Sequence, residues 1–325
     1  MGTPEFAVGT LERLVNEGYN VVAVVTQPDK PVGRHQDTLQ PPAVKVFATE
    51  HNIPVLQPVK MKDEAFVEAL RAYDADIFVV VAFRMLPEVV SAMPRFGTFN
   101  VHAALLPQYR GAAPINWAVI NGETQTGVTT FFLDHDIDTG RIILKKTFDI
   151  ADDYNVEDVY DGLMKLGADI AVETLEKVIA TDGNVETIAQ EDTLTDEEFE
   201  NLKPAPKIFR ETCEINWQQP CKKIYDFIRG SSPVPGAGTT LVQGEKQTVM
   251  KIYKASKTGQ SCSQYKPGDV LIEGKQFLIA TADNFLSIDV LQLQGKKRTE
   301  ARDFINGFRV VDDLHRNSSV VCFVR

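Results

Sequence analysis

The sequence predicts an α/β fold, a doubly wound and mostly parallel sheet, followed by a small β-barrel of the OB-like kind. Through residues 1–185, runs of β-branched and apolar residues alternate with segments of helical period. Apolar strands separated by helices are typical of a parallel sheet covered on both faces. Residues 208–325 instead show short strands divided by turn residues, which favours a barrel. Residues 186–207 are acidic, aperiodic and proline-containing, so we predict a linker there.

Each element is predicted from its local pattern. In the first domain we predict strands at 20–26, 76–82, 98–102, 128–133 and 142–146, and helices at 6–18, 43–51, 63–73, 87–93, 113–121 and 155–181. In the second domain the turns Pro267-Gly268, Glu273-Gly274 and Asp283-Asn284 separate the strands. The predicted strands there are 248–255, 269–272, 276–281 and 285–292, flanked by helices at 219–229 and 299–308.

The charge of the chain is unevenly distributed. The net charge is −11, but residues 1–210 carry −15 and residues 211–325 carry +4. A basic module suits a polyanionic partner, although +4 alone is equally consistent with simple solubility. No run approaches the roughly 18 apolar residues of a membrane span, and no secretory signal is visible. The four cysteines lack CxxC spacing, so we expect reduced thiols in a cytoplasmic protein without membrane attachment.

Several common motifs are excluded by spacing. The stretch DHDIDTG at 134–140 suggests a calcium loop, but Thr139 and Lys145 stand where an EF-hand needs glycine and glutamate. The sequence contains no GxxxxGK[ST], GxGxxG or GxSxG, which argues against a P-loop, a dinucleotide site and a serine elbow. We also find no metal-ligand cluster and expect no metal.

The strand predicted at 98–102 places two polar side chains on one side. Residues two apart in a strand project together, so Asn100 and His102 stand side by side at its carboxyl end. A carboxamide can donate to a developing oxyanion while an imidazole moves a proton, which together permit acyl chemistry. Asp138, in a strand-to-strand loop, is the candidate to orient the imidazole. Two simpler readings stay open, a buried core histidine and a solvated aspartate turn.

The motifs around these residues resemble one known family. The chain is similar, nearly end to end, to the methionyl-tRNA formyltransferases. The matching motifs are GTPEFA at 2–7, TQPDKPVGR at 26–34, NVHAALLPQYRGAAPI at 100–115, DIDTG at 136–140 and GKK at 295–297, in the order and spacing of the family. The resemblance implies a formyltransferase-type, Rossmann-like catalytic domain at 1–185 and a tRNA-binding barrel at 208–325.

The resemblance also implies a reaction and a catalytic trio. The family transfers a formyl group from 10-formyltetrahydrofolate to the amine of methionine on initiator tRNA, for translation initiation, without a metal. Asn100 and His102 would donate to the formyl oxygen as negative charge grows there, and Asp138 would hold His102 and assist proton movement. We expect a monomeric enzyme.

Binding residues follow from the same resemblance. Folate is expected over the loop Leu105, Leu106, Pro107 and Gln108, and against the segment 80–86, which ends at Leu86. Arg84 either meets the folate's glutamate carboxylate or is a solvated surface arginine. Arg34, Lys296 and Lys297 are the candidates for tRNA contacts. The 26–42 loop is rich in proline and glycine and aperiodic, which is typical of a functional loop.

The chain departs from the family pattern in places. His35-Gln36-Asp37 follows Arg34 where further basic residues are common, and Ala104 and Gln108 replace a common serine and a common basic residue. Family members begin with a short buried strand before GTPEFA, whereas Met1 directly precedes that motif here. We therefore expect the natural protein to be slightly longer than this sequence.

Three alternatives compete with the favoured function. Another folate-dependent N-formyltransferase would act on an amino sugar or on glycinamide ribonucleotide. A tRNA-binding protein would lack catalysis, against which the intact trio argues. A hydrolase of formyltetrahydrofolate would need no amine acceptor.

Overall fold

The computed structural model describes residues 1–33, 38–307 and 320–324. Contacts divide the chain into two compact units. The first comprises Met1–Pro114, Gln125–Asp149 and Tyr160–Ala205, and the second Ile115–Thr124, Ile150–Val159 and Pro206–Arg325. Two short segments that precede residue 185 therefore belong to the second unit. The domain boundaries after residues 185 and 207 stay predictions.

Helices and strands alternate in the first half of the chain, in the predicted order. All five predicted strands and all six predicted helices are present, with the first strand shortened to two residues. Three further short strands, at Lys30–Val32, Thr38–Gln40 and Val55–Leu56, were not predicted. The elements are α1 Glu5–Asn16, β1 Val24–Val25, β2 Lys30–Val32, β3 Thr38–Gln40, α2 Ala43–Glu50, β4 Val55–Leu56, α3 Glu64–Arg71, β5 Phe78–Val81, α4 Glu88–Ser91, β6 Thr98–His102, α5 Pro114–Ile120, β7 Gln125–Phe132, β8 Ile142–Asp149, α6 Val156–Ala180 and α7 Asp196–Glu200.

The main sheet of the first unit has the strand order β5-β6-β7-β8. The pair β5–β6 is parallel, and the pairs β6–β7 and β7–β8 are antiparallel. Phe99 and Val101 of β6 are buried, as the apolar alternation of this strand requires. The carboxyl end of β6 is therefore held between two neighbours, with His102 opposite Thr129 of β7.

A parallel pair, β1–β4, forms separately from the main sheet. Met1 and Gly2 lie between this pair and β5. The Gly2 N–H donates to the Val25 carbonyl at 3.0 Å, and the Val81 N–H donates to the Met1 carbonyl at 2.9 Å. A cavity of about 700 Å³ continues from there between the edges of β1 and β5, and is lined by apolar side chains such as Leu11 and Leu70. The apolar walls beside two strand edges suit one more extended, apolar segment.

We expect five apolar residues joined to Met1 to stabilise the protein. Burial lowers the pKa of the Met1 amine from 8.0 to about 5, and an extension would replace this buried amine with an amide. Between pH 5 and 8 the amine is protonated in the unfolded state but neutral in the folded state. The stability of the protein without an extension therefore falls as the pH drops through this window. The buried side chains add about 1.5 kcal/mol or more each.

The free energy of unfolding, measured by urea titration from pH 5.5 to 8, tests this prediction. The extended variant should be the more stable at every pH and should lose the slope due to the amine. An extension of five Gly and Ser residues is the matched control, since it removes the buried amine but supplies no apolar surface. Equal stability of the two extensions would contradict the predicted strand site.

The second unit is built around an antiparallel barrel. Its elements are α8 Cys221–Ser231, β9 Ala237–Gln243, β10 Lys246–Ser261, β11 Asp269–Glu273, β12 Gln276–Ala280, β13 Asn284–Leu293, β14 Thr299–Glu300, α9 Ala301–Gly307 and β15 Val320–Val324. The strand order is β10-β9-β15-β11-β12-β13, and β13 pairs back with β10 to close the barrel, while β14 pairs with Val290 and Leu291 of β13. Met250, Ile252, Phe277 and Leu286 are fully buried in its core.

The predicted barrel and its four predicted strands are confirmed. Strands β9 and β15, which lie beside each other in the barrel, were missed. The sequence of β9, AGTTLVQ, has a weak apolar alternation, and its extended conformation is stabilised by the ladder with β10. A strand that depends on its neighbours in this way has little local signal.

Candidate active site

His102 lies buried at the carboxyl end of β6 with both ring nitrogens facing protein atoms. Its Nε2 is 2.9 Å from the Tyr109 carbonyl oxygen, and its Nδ1 is 3.8 Å from Oδ2 of Asp138. A carbonyl oxygen only accepts, so Nε2 must carry the hydrogen. In the neutral ring the lone pair is therefore on Nδ1, on the side of Asp138. In this tautomer Nδ1 is the ring nitrogen whose lone pair is available to accept a proton.

Asp138 is held in the loop between β7 and β8. Its backbone is left-handed, with φ +57°, which is uncommon for a residue other than glycine. Its Oδ2 accepts a hydrogen bond from the Gly111 N–H at 2.9 Å. Gly111 has φ +125°, and a Cβ there would lie 2.5 Å from the Ala205 carbonyl oxygen, so only glycine fits. The backbone of the loop after β6 thus helps to place the carboxylate beside His102.

Asn100 lies two residues before His102 on the same strand and is partly buried. Its Oδ1 is buried without a hydrogen-bond partner among the described residues. An unpaired buried acceptor is uncommon in folded proteins and often marks a functional position. Since the oxygen is inside, the amide nitrogen is the atom of this group that can donate to a ligand.

The loop 105–108, predicted to lie under folate, is firmly anchored. Leu106 is fully buried against Phe131 and Ile142. The Leu106 N–H donates to the Thr129 hydroxyl at 3.1 Å, and that hydroxyl donates to the Ala104 carbonyl at 2.7 Å. The side chain of Leu106 is consequently part of the core and is not available to a ligand.

The other loop residues are placed differently. Pro107 is buried, while Leu105 and Gln108 are partly exposed. The Oε1 of Gln108 accepts a hydrogen bond from the Lys203 N–H at 2.8 Å. This contact ties the loop to the segment predicted to be a linker.

Arg84 is fixed by backbone carbonyls. Its Nη1 donates to the Val59 carbonyl at 3.0 Å, and its Nη2 donates to the Pro58 carbonyl. Its Nε is buried without a partner among the described residues. The guanidinium is therefore neither fully solvated nor free to move towards a ligand without breaking these bonds, and its role in folate binding stays a prediction.

Leu86 lines a cavity of about 730 Å³ in the first unit, together with Met85, Phe132 and His135. A volume of 300–1,000 Å³ is typical of small-molecule sites. Part of the wall, residues 132–135, leads directly into the loop that carries Asp138. Of the residues predicted to contact folate, only Leu86 is among those that line this cavity.

The predicted tRNA contacts are only partly described. Arg34 lies outside the described residues. Lys296 and Lys297 are exposed in the turn between β13 and β14. Next to them, the Arg298 guanidinium stacks 3.5 Å from the ring centroid of Tyr253, a pairing that the sequence analysis missed.

Sequence analysis also missed the support supplied by residues 186–207. The Gln190 side chain is buried between the Asp138 loop and Arg110, and Ala205 pairs with Gly111. Lys203 and Ala205 make backbone hydrogen bonds to the loop after β6. The interpretation of this stretch as a plain linker was incomplete, because its acidic and aperiodic sequence carries no signal for such long-range contacts.

The described residues contain no group of three or more His, Cys, Asp or Glu side chains placed to hold a metal ion. Within 1–33, 38–307 and 320–324, no helix is long and apolar enough to cross a membrane.

The fold and the site together define a class of protein: an α/β transferase that acts at a carbonyl carbon, with an appended barrel. Residues 1–175 match the sequence profile of the family described as "Formyl transferase", and residues 207–309 match "Formyl transferase, C-terminal domain". The chain belongs to the formyl transferase family.

Individual proteins agree with this assignment. A methionyl-tRNA formyltransferase of Parabacteroides distasonis is 55% identical over 96% of this chain and 95% of its own length. WlaRD, a sugar 3N-formyl transferase solved with dTDP and 5-N-formyl-THF, is 20% identical, with a TM-score of 0.62 over 91% of this chain and 97% of that chain. HypX from Aquifex aeolicus, solved with tetrahydrofolic acid, is 21% identical, with a TM-score of 0.55 over 79% of this chain and 43% of that longer chain. The two solved structures support the fold.

Proposed function

We infer that this protein transfers a formyl group to the free amino group of methionine on initiator tRNA, for translation initiation. The observation that carries this inference is the 55% identity over nearly the full length to a protein named methionyl-tRNA formyltransferase. The pairing of Asn100 and His102 with Asp138 supports it independently, because that geometry suits attack of an amine on a carbonyl carbon. We propose 10-formyltetrahydrofolate as the donor, and a cytoplasmic monomer as the working form.

We propose a role for each of the three residues, and their geometry supports it. The methionine nitrogen forms a bond to the formyl carbon, and the bond from that carbon to N10 of the donor breaks. The amine loses a proton and N10 gains one, so the reaction needs a group that can move a proton. Nδ1 of His102 is the acceptor, with Asp138 3.8 Å away to stabilise the charge that forms on the ring. The Asn100 amide nitrogen donates to the formyl oxygen as negative charge develops there.

The proposed role of His102 differs from the one expected from the sequence, in which Asn100 and His102 both donate to the oxyanion. In the structure the hydrogen on Nε2 of His102 is already donated to the Tyr109 carbonyl. We therefore propose Asn100 as the oxyanion donor and His102 as the group that moves the proton.

The donor's proposed binding site is the cavity lined by Leu86. Its apolar wall suits the flat pterin ring, and its volume suits a cosubstrate of this size. Backbone groups of the loop 105–108 are the proposed polar contacts on the side of β6, with the partly exposed Leu105 and Gln108 nearest the surface. When bound, the donor supplies the activated formyl group.

The test of the proposed function is transfer of labelled formyl to defined acceptors. We expect transfer from 10-formyltetrahydrofolate to methionine-charged initiator tRNA, and little to uncharged tRNA or to a dTDP-amino sugar. The amino sugar is the relevant competitor, because a structural neighbour is a sugar 3N-formyl transferase. Transfer to the amino sugar alone, or release of formate without any acceptor, would overturn the proposal.

The exposed lysines of the barrel give a second prediction. Replacing Lys296 and Lys297 with alanine should raise KM for the charged tRNA several-fold and leave KM for the folate unchanged. Each phosphate contact releases counterions, so the slope of log affinity against log salt should fall by about 1 per lysine. The dissociation constant for the charged tRNA, measured from 50 to 200 mM salt, gives this slope.

Lys275 supplies the matched control, since it is an exposed lysine in another turn of the same barrel. Lys275→Ala should leave both KM values unchanged. If it weakens tRNA binding as much as the change at Lys296 and Lys297, the effect belongs to general charge and the assigned contacts are wrong.

A further inference from the structure

The side chain of Gln190 sits at the centre of a closed hydrogen-bond network beside the catalytic trio. It is 1% exposed. Its Nε2 donates to the carbonyl oxygens of Asp138 and Gly140, both at 2.8 Å. Its Oε1 accepts from Nε of Arg110 at 3.1 Å and from Nη2 at 2.7 Å. Every donor and acceptor site of the amide is therefore used.

These four bonds join the two loops that surround His102. Asp138 and Gly140 belong to the loop between β7 and β8, and Arg110 belongs to the loop after β6. The next residue, Gly111, donates its N–H to the Asp138 carboxylate. Asp138 is thus held at two points, by Gln190 at its carbonyl and by Gly111 at its side chain.

Asp138 needs this support because its backbone is in a sparsely populated conformation. A left-handed φ of +57° at an aspartate costs free energy and persists where the surroundings over-determine it. Gly140 is equally constrained, since a Cβ there would overlap the Phe132 carbonyl oxygen. The amide of Gln190 donates hydrogen bonds to the carbonyl oxygens of both residues and so restricts the backbone of the loop at Asp138 itself.

Arg110 contributes charge as well as hydrogen bonds. Burial lowers the pKa of its guanidinium, and the nearby carboxylates Glu191 and Asp138 oppose that change. The face of its guanidinium also lies 5.6 Å from the Phe199 ring centroid. Gln190 therefore has a fixed cationic partner, which sets the direction of its amide and keeps the two N–H groups pointed at the Asp138 loop.

We propose that Gln190 is a positioning residue for catalysis, which acts by holding Asp138 in place beside His102. The inference rests on the proposed function. It goes beyond that function because it gives a role to a residue outside the catalytic trio, one that touches no reacting group. It also assigns a catalytic task to the segment predicted to be a linker.

Two substitutions test the proposal. Gln190→Leu keeps the approximate size and removes both donors, while Gln190→Glu keeps an acceptor for Arg110 and removes the donors to the Asp138 loop. We expect kcat for formyl transfer to fall about tenfold to a hundredfold in each, with KM for donor and tRNA changed less than about threefold, since a misplacement of about 1 Å can cost that much. Asp192→Asn, at an exposed neighbouring residue, is the matched control and should keep full activity.

A double-mutant cycle with Asp138→Ala separates positioning from general structural damage. If Gln190 acts through Asp138, either Gln190 substitution should cost less than about twofold once the carboxylate is gone. Equal losses in both backgrounds would overturn the proposal, and so would full activity of both single variants. The Gln190→Glu variant retains the bonds to Arg110, so it covers the case in which Gln190→Leu fails to fold.

The ring signal of His102 provides a readout that does not depend on the reaction. In NMR spectra recorded at one pH and assigned with His102→Ala, we expect the ring signals of His102 to move in Gln190→Leu and to stay in Asp192→Asn. If the parent protein transfers no formyl group to charged tRNA, the proposed function fails while these spectra still test Gln190. Unchanged ring signals of His102 in a folded Gln190→Leu variant would overturn the positioning role.

Discussion

Replacing His102 with alanine should lower kcat for formyl transfer at least about a hundredfold, with KM for folate and tRNA nearly unchanged. The loss is expected because Nδ1 is the proposed proton acceptor, and general base catalysis contributes about 10²–10⁴-fold. The buried ring also donates to the Tyr109 carbonyl, so its removal leaves that oxygen without this bond. Single-turnover kinetics with charged initiator tRNA measure the chemical step directly.

His51→Ala is the control for this experiment. His51 is exposed at the end of α2, and its ring also contacts a backbone carbonyl, that of Phe47, through Nδ1 at 2.9 Å. We expect full activity from it. A His102→Ala variant that is folded and retains more than about a tenth of the parent kcat would show that proton transfer does not depend on this ring.

Replacing Asn100 should produce the second large effect. Asn100→Ala removes one oxyanion donor, which we expect to cost about 3 kcal/mol of transition-state stabilisation, or roughly a hundredfold in kcat. Asn100→Asp should be worse, because a carboxylate would meet negative charge that develops on the formyl oxygen. The diagnostic result is a higher kcat for Asn100→Ala than for Asn100→Asp, measured at a saturating concentration of the formyl donor.

Thermal unfolding of the Asn100 variants shows whether a loss of activity is caused by a loss of stability. The Oδ1 of Asn100 is buried without a partner among the described residues, so alanine removes no protein hydrogen bond through that atom and should change Tm by only a few degrees. Asn201→Ala, at an exposed residue after α7, is the control with unchanged kcat. If aspartate proves as active as asparagine, Asn100 does not face the reacting oxygen.

Much of the fold was predictable because its signals are local. The run NVVAVVT, the alternation TFNVH and the helical periods between them each depend on neighbours a few residues away. The same locality makes Asn100 and His102 recognisable, since one strand sets their common direction. The strand β9 and the hairpin β2–β3 were missed because their sequences are weakly patterned and their partners stabilise them.

The site shows the corresponding limit. Asp138 was predictable as a partner of His102 from its motif and its loop, but its left-handed backbone was not. Gln190 lies 52 residues from Asp138 and 80 from Arg110 along the chain. A contact between residues so far apart leaves no periodicity in a sequence, and the acidic surroundings of Gln190 pointed to a solvated linker.

By itself, the sequence determined the α/β class, the appended barrel, the family and the polar residues at the end of β6, because apolar period and motif spacing are properties of short stretches. Only the tertiary structure decided which nitrogen of His102 carries the hydrogen, that Leu106 belongs to the core, and that Gln190 holds the Asp138 loop. Each of these depends on which backbone carbonyl or side chain lies within about 3 Å. That proximity arises when distant segments pack together, and the free energy that enforces it is shared over the whole core.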